Sequence, residues 1–347
     1  MEVIGAEGVA IGTAVDDCPH TPGDGELWQE SFALCWFDRE RGIGGVNRLG
    51  HEPNFAGGRS VIWNTLFTLD GQYYRVMKTV PLRDSDRRDN GIRTGDIAEY
   101  YFDGKQGHWK IQDVDAELDV VLEGFHEPVA NIPLKQGDDN VFYSGSTTGH
   151  FECNGRVRGT ARVGKRRYAI NGLGHRNHSW GVRNWHDLRS HRWVAGIIDE
   201  NFSFAVFSWH TATGHFAAHG HLIRDGKMIF AAKTDIVVIT DIDSISHRGC
   251  VVHMTLPDGE VLRFDVKPIC KGTMGQFHGT LVPLTGPALV TVGGRTGVCT
   301  FETSTNLLGG QTFPKSVING IDGSGLVDVP NWQVDTFPMT DFLASAP

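Results

Sequence analysis

The sequence predicts an all-β protein, and three observations carry that expectation. Glycine supplies 44 of the 347 residues, nearly twice the ~7% of an average chain. Ten of those glycines directly follow Asp or Asn, among them Gly71, Gly155, Gly226 and Gly259. Asp-Gly and Asn-Gly suit type I′ hairpin turns, whose two central residues both need positive φ. Apolar residues alternate with polar ones over many short runs, which is the strand period. No long stretch repeats apolar residues at the i, i+3, i+4, i+7 spacing of an amphipathic helix.

Taken in order, the runs read as follows. Leu27 to Phe37 sets Trp28, Phe32, Leu34 and Trp36 on one face, with Glu30 among them. Val61 to Leu69 turns at Asp70-Gly71 into Tyr73 to Val80. Pro81 to Gly95 is highly charged and predicts an exposed loop. Val114 to Phe125 alternates weakly. Phe142 to Phe151 leads to Asn154-Gly155, which predicts another turn. Short strands follow over Trp193 to Ile198, Phe202 to His210, His215 to Ile223, Met228 to Lys233 and Ile236 to Ile239. Val251 to Leu256 and Val261 to Val266 flank Asp258-Gly259 as the plainest hairpin. Strands at roughly 8–12-residue spacing suit barrels and sandwiches. Ser304 to Ser324 is mixed, and the tail from Asp328 carries Val329, Trp332, Phe337 and Phe342, so it is expected to pack. A boundary near residue 150 divides the chain into halves, 1–150 and 151–347, of similar strand content.

Composition removes several function classes. A net charge of −9 argues against a nucleic-acid surface. No apolar run approaches the ~20 residues of a membrane helix. Met1 to Asp17 lacks a basic start and an apolar stretch, so a cytoplasmic location is expected. The six cysteines, at 18, 35, 153, 250, 270 and 299, show no C-x-x-C and read as buried thiols. Neither a G-x-S-x-G elbow nor a P-loop occurs, and no Gly-x-Gly opens a helix after a strand, so no cofactor is expected.

The densest chemical feature is the run from Gly172 to Trp185. If 175–180 is extended, Arg176, His178 and Trp180 share one face, and His175, Asn177 and Ser179 the other. An Arg-His-Trp row turned inward would line a cavity. His178 then suits a general acid or base, Arg176 a carbonyl or oxyanion anchor, and Trp180 an apolar wall or a π face for a developing cation. The same residue types also tie loops down by bonding carbonyls, and that reading stands beside the first. Asp199 suits a second acid near a cavity mouth, or a solvated turn. Glu30, on an apolar face, is either paired with an Arg or functional. Half of the 16 histidines fall between 175 and 221. His215, His219 and His221 share strand parity, a spacing that suits zinc or iron, while Gly220 and its small neighbours suit close packing equally.

The run from Gly44 to Asn54, with the Gly172 to Gly181 motif Gly-x-Gly-His-Arg-Asn-His-Ser-Trp-Gly, resembles the AttH/CrtC-like superfamily, over about residues 26 to 300. That group includes carotenoid 1,2-hydratase and decalin-forming Diels–Alderases. The resemblance implies two tandem lipocalin-like β-barrel domains with an apolar pocket at or near their interface. It maps a His-x-Trp pair onto His178 and Trp180. Hydratase members also use a later Tyr-x-Asp, and no Tyr follows Tyr168 here. The expectation is a cofactor-independent lyase or isomerase: hydration, dehydration, double-bond isomerisation or cyclisation of a terpenoid, steroid or polyketide-like substrate. Expected catalytic residues are His178, Arg176, Trp180, Asp199 and Glu30; expected substrate contacts are His175, Asn177, Trp185, Asn54 and Trp63. The expected partner is a hydrophobic small molecule, with a homodimer left open. Two rival readings are a non-catalytic carrier of an apolar ligand and a His-ligated metal enzyme.

Overall fold

The computed structural model describes residues 1–6, 11–130, 149–211, 214–241, 246–270, 272–275, 277 and 281–306, and the backbone of 325–326. Strand makes up 70% of it and helix 5%, so the protein is all-β. Among the described residues the strands form two large curled sheets, of twelve and eleven strands. This is the tandem lipocalin-like arrangement. No helix of the described residues is long and apolar enough to cross a membrane.

The first sheet is built from two antiparallel meanders. One runs through Trp28–Asp38, Ile43–Glu52, Arg59–Thr68 and Tyr73–Pro81. The other includes Ala116–Gly124, Gly149–Val163 and Arg166–Val182. They join where Arg166–Val182 pairs with Trp28–Asp38. The second sheet takes most of the chain from Leu188–Asp199 to Arg295–Asn306. The change of sheet therefore falls between Val182 and Leu188, later than the boundary expected near residue 150.

Trp28–Asp38 explains how the sheets meet. Its side chains alternate large and small as well as face to face. Phe32, Leu34 and Trp36 enter the core of the first sheet with Leu49, Tyr100 and Trp109. Each such burial contributes ~1.5–3 kcal/mol. Ser31, Ala33 and Cys35 point the other way and line a cavity. The small row leaves space against the second sheet. That sheet encloses its own core around Phe204, Val252, Phe264 and Phe301. Trp185, Leu188, Trp209, Phe277 and Leu281, with Trp63 and Phe207 against them, form a separate cluster.

Two glycine expectations had different outcomes. Asp258-Gly259 does turn between His247–Thr255 and Val261–Pro268, with Gly259 at φ 92°. Asn154-Gly155 does not turn; it lies inside Gly149–Val163, paired to Gly124 on one side and Gly174 on the other. Gly155 is there for proximity, since a Cβ would stand 2.3 Å from the Glu123 carbonyl oxygen. Gly155→Ala is expected to destabilise the protein by ~1–3 kcal/mol through overpacking. An unchanged thermal midpoint in a melt of that variant contradicts the close approach.

Pro81 to Gly95 is less of a loop than its charge suggests. It holds a short 3-10 turn, Asp84–Asp86, and the strands Arg87–Arg88 and Gly91–Thr94. Residues 142–148, most of 304–324 and the tail from Asp328 lie outside the described residues.

Candidate functional site between the two sheets

The motif strand Arg166–Val182 presents its two rows to different surroundings. His175, Asn177 and Ser179 face a cavity between the sheets. Arg176, His178 and Trp180 face the opposite way, into the first sheet beneath an N-terminal segment. The row expected to line the cavity therefore does not, and its partner row does. Strand pleating makes the two alternatives exclusive.

The inner row holds the N-terminal segment in place. Arg176 pairs with Asp17 through Nη1 to Oδ1 at 2.6 Å and Nη2 to Oδ2 at 2.9 Å. His178 Nδ1 donates to the Asp16 carbonyl at 2.6 Å, and its Nε2 lies 3.1 Å from Glu30 Oε1. Tyr100 donates its hydroxyl to the Asp17 carbonyl at 2.9 Å. His20 stacks on Trp180 with 3.6 Å between centroids, and His178 stacks on Phe32 at 3.8 Å. Glu30 is fully buried and accepts from the His20 backbone at 2.7 Å and from Arg87 Nη1 at 3.1 Å. Burial alone would raise its pKa. Hydrogen bonds from His178 and His20 outweigh burial and bring it down to about 2. Arg87, from the segment expected to be an exposed loop, supplies the positive partner. Arg87 also donates to the His20 carbonyl.

Two further expected residues lie outside the cavity wall. Asp199 ends the strand Leu188–Asp199, accepts from Asn201 N at 2.8 Å and pairs with Arg295. Asn54 is exposed and ties a loop by donating to the Gly23 and Gly25 carbonyls at 2.8 and 2.9 Å. The other four expected contacts, His175, Asn177, Trp185 and Trp63, all line the cavity.

The cavity wall draws on both sheets. Trp63, Trp185, Trp193, Phe207 and Phe277 supply aromatic surface. Trp185 stacks on Phe277 at 4.1 Å and anchors its indole N–H on Gln29 Oε1 at 3.3 Å. The volume is about 110 Å³, the scale of a pocket that holds one benzene-sized ring, roughly 150 Å³.

Two histidine–carboxylate pairs are set into this wall. On the first sheet His150 Nε2 donates to Glu152 Oε1 at 2.9 Å, and His175 Nε2 stands 3.7 Å from Glu152 Oε2. His175 Nδ1 is 2.9 Å from Asn154 Oδ1. Burial pushes the His175 pKa down to about 4 and that of His150 well below its ordinary value. In both rings burial disfavours the charged form. On the second sheet His191 Nε2 lies 2.6 Å from Glu302 Oε1. Glu302 Oε1, a carboxylate oxygen, accepts, so His191 Nε2 carries the proton. In that tautomer Nδ1 accepts from Ser304 Oγ at 2.6 Å, and Ser304 Oγ accepts in turn from the His191 backbone at 3.0 Å. Thr285 donates its hydroxyl to the other carboxylate oxygen. Cys35 also reaches the wall, but burial pushes its thiol up to about 12, which removes it as a nucleophile at neutral pH.

Arg48, His150, Glu152, Arg183, His191, Trp193 and Glu302 line the cavity and were not among the expected site residues. The signal for Glu152 was parity: it pairs with Asn177, and His150 with Ser179, across one hairpin. His191 and Trp193 alternate on Leu188–Asp199 and pair with Ser304 and Glu302.

Metal ligation was also considered for His215, His219 and His221. His215 precedes Phe216–Arg224, His219 stacks on Trp209 at 5.3 Å, and His221 packs beside Phe230 at 5.5 Å. Among the described residues one group has converging ligand atoms, His20, Glu30 and His178, within 4.8 Å of one another. Arg87 already supplies a positive charge to that carboxylate.

Fold and cavity define a two-sheet, lipocalin-like all-β protein. The chain belongs to the family of the domain of unknown function DUF7064, whose model matches residues 13–307. Solved structures with the same fold include an AttH-like protein from Nitrosomonas europaea, 12% identical with a TM-score of 0.64, over 87% of this chain and 98% of that one. CghA, solved with Sch210972, is 13% identical with a TM-score of 0.58, over 89% and 99%. Kievitone hydratase from Nectria haematococca is 7% identical with a TM-score of 0.58, over 88% and 96%. At such identities the likeness is one of fold. No curated protein matches the sequence.

Proposed function

We propose that this protein is a cofactor-independent acid–base enzyme of the lyase or isomerase type, acting on an apolar, ring-bearing substrate in the cavity between its sheets. The observation that carries the reading is the pairing of two histidine–carboxylate units, His150–Glu152 and His191–Glu302, on the two walls of one aromatic cavity. Hydration needs a proton given to one carbon and a proton taken from the water that bonds to its neighbour. One unit, carrying an extra proton, delivers it; the opposite unit accepts the proton of the water. Elimination runs the same steps backwards, and isomerisation uses both transfers without water. Aromatic walls hold the reacting ring and exclude bulk water, and that positioning is itself a large part of a rate enhancement. One protein of the same fold is described as a hydratase, which supports this reading.

Of the finer expectations, terpenoid, steroid and polyketide-like substrates remain part of this proposal. The inner row enters it as a positioning element, with His178 bracing the strand it shares with His175. The test is incubation with a panel of cyclic alkenes, enones and alcohols, read by mass spectrometry for gain or loss of water and by chromatography for isomers. Turnover of at least one member is expected. Saturable binding with no product in any arm returns the protein to the carrier reading.

A further inference from the structure

Among the described residues, buried donors of Arg48 and Trp193 in the cavity wall find no acceptor. Arg48 is 8% exposed, and its Nη1 makes no hydrogen bond to them. Trp193, also 8% exposed, leaves its indole N–H unmade as well. Both residues line the cavity, Arg48 from the first sheet and Trp193 from the second. A buried donor without a partner is costly, and more so when charged.

The position of Arg48 is fixed. It pairs across the strands with Trp63, and its guanidinium lies 4.6 Å over that ring and 4.9 Å over Phe277. Two aromatic faces hold the cation while leaving its edge for a ligand. The carboxylates nearest in charge are engaged elsewhere. Glu52 accepts from Arg59 at 2.5 Å, and Glu302 accepts from His191 and Thr285.

We infer that Arg48 is the substrate anchor of this cavity, and that the substrate carries an acceptor oxygen, a carbonyl or a carboxylate, on its apolar ring. This rests on the reading of the cavity as a substrate site. An acceptor oxygen held by a cation is what proton transfer at a neighbouring carbon requires, because charge that develops in the transition state moves onto that oxygen. The Trp193 N–H is a second donor for the same ligand class. An all-hydrocarbon substrate leaves both unmet.

The test measures binding, so it does not depend on turnover. Three probes of one shape, n-butylbenzene, 4-phenylbutan-2-one and 4-phenylbutanoate, are titrated against tryptophan fluorescence, which Trp63, Trp185 and Trp193 supply. One or both oxygenated probes are expected to bind roughly 10- to 100-fold more tightly than the hydrocarbon. Preference for the ketone assigns a neutral carbonyl substrate, and preference for the acid a carboxylate. In Arg48→Met, which keeps an apolar stem against Trp63, that ratio is expected to fall to near one with hydrocarbon binding retained. Arg48→Lys, which keeps the charge but not the fork, is expected to lie between. Equal affinity for all three probes in the unaltered protein, or a ratio unmoved by both variants, overturns the inference. So does failure of either oxygenated probe to bind up to its solubility. If the ratio behaves as expected while the panel yields no product, the anchor stands and the enzyme reading falls.

Discussion

Glu302→Gln is expected to lower kcat by ~10²–10⁴ on any substrate the protein turns over. The carboxylate faces the cavity, accepts from His191 Nε2–H at 2.6 Å and from Thr285, and has no other chemistry to perform in a wall of aromatic rings. The amide keeps the shape and removes the proton acceptor. Loss should therefore appear in kcat, while KM and the thermal midpoint stay close to those of the unaltered protein. Ser304→Ala is the companion. Ser304 directs its proton to His191 Nδ1 and so selects the tautomer that serves Glu302. Its removal is expected to cost activity less than loss of Glu302, because the ring can still adopt the useful tautomer part of the time. His178→Ala sets the contrast. His178 is fully buried beside Asp16 and Glu30, on the far face of its strand. Its loss is expected to lower the thermal midpoint more than kcat. Full activity in Glu302→Gln, with His178→Ala inactive yet equally stable, reverses the assignment and restores the inner row as the catalytic one.

The architecture was legible because it is a matter of period. Alternation of Phe32, Leu34 and Trp36 with Ser31, Ala33 and Cys35 already states that one face is filled and the other is not. Asp70-Gly71 and Asp258-Gly259 mark their turns, where positive φ is required. Asn154-Gly155 misleads because the same dipeptide meets a different demand, the approach of the Glu123 carbonyl. Nothing local distinguishes the two uses.

Site residues were legible only in part, for a related reason. Parity tells which residues share a face, but not which face meets the cavity. The run 175–180 carries polar residues in both rows. The longer, more reactive-looking row of Arg176, His178 and Trp180 proved to serve the N-terminal segment, whose Asp16, Asp17 and His20 are more than 150 residues away in sequence. Glu302 and His191 are separated by 111 residues and meet by pairing of Leu188–Asp199 with Arg295–Asn306. A pair of that kind carries no spacing signature; it exists once register is set.

Glu30 supports the second large effect, on stability rather than rate. Glu30→Ala is expected to destabilise the fold by ~3–5 kcal/mol, since it strips a buried ion network of its anion and leaves Arg87 and His178 without their partner. That corresponds to a fall in thermal midpoint on the order of 10 °C. The pH dependence follows from the direction of the shift. The folded-state pKa of about 2 lies below the ordinary 4.5. The contribution of Glu30 is therefore complete above the unfolded value and is lost as pH falls from about 4.5 towards 2. The N-terminal segment should respond first, because His20, Asp16 and Asp17 are what the network holds. Hydrogen exchange at residues 13–20 is the discriminating measurement. In the unaltered protein at neutral pH the amides that this network orders should exchange slowly, and in Glu30→Ala, or near pH 3, they should exchange faster than those of Trp28–Asp38. Uniform loosening of both segments, or an unchanged thermal midpoint in Glu30→Ala, shows that the segment is held by something other than this carboxylate. Because the cavity lies across the strand from the network, Glu30→Ala should also leave the butylbenzene affinity of the folded protein intact, which separates the anchoring of the N-terminal segment from the site between the sheets.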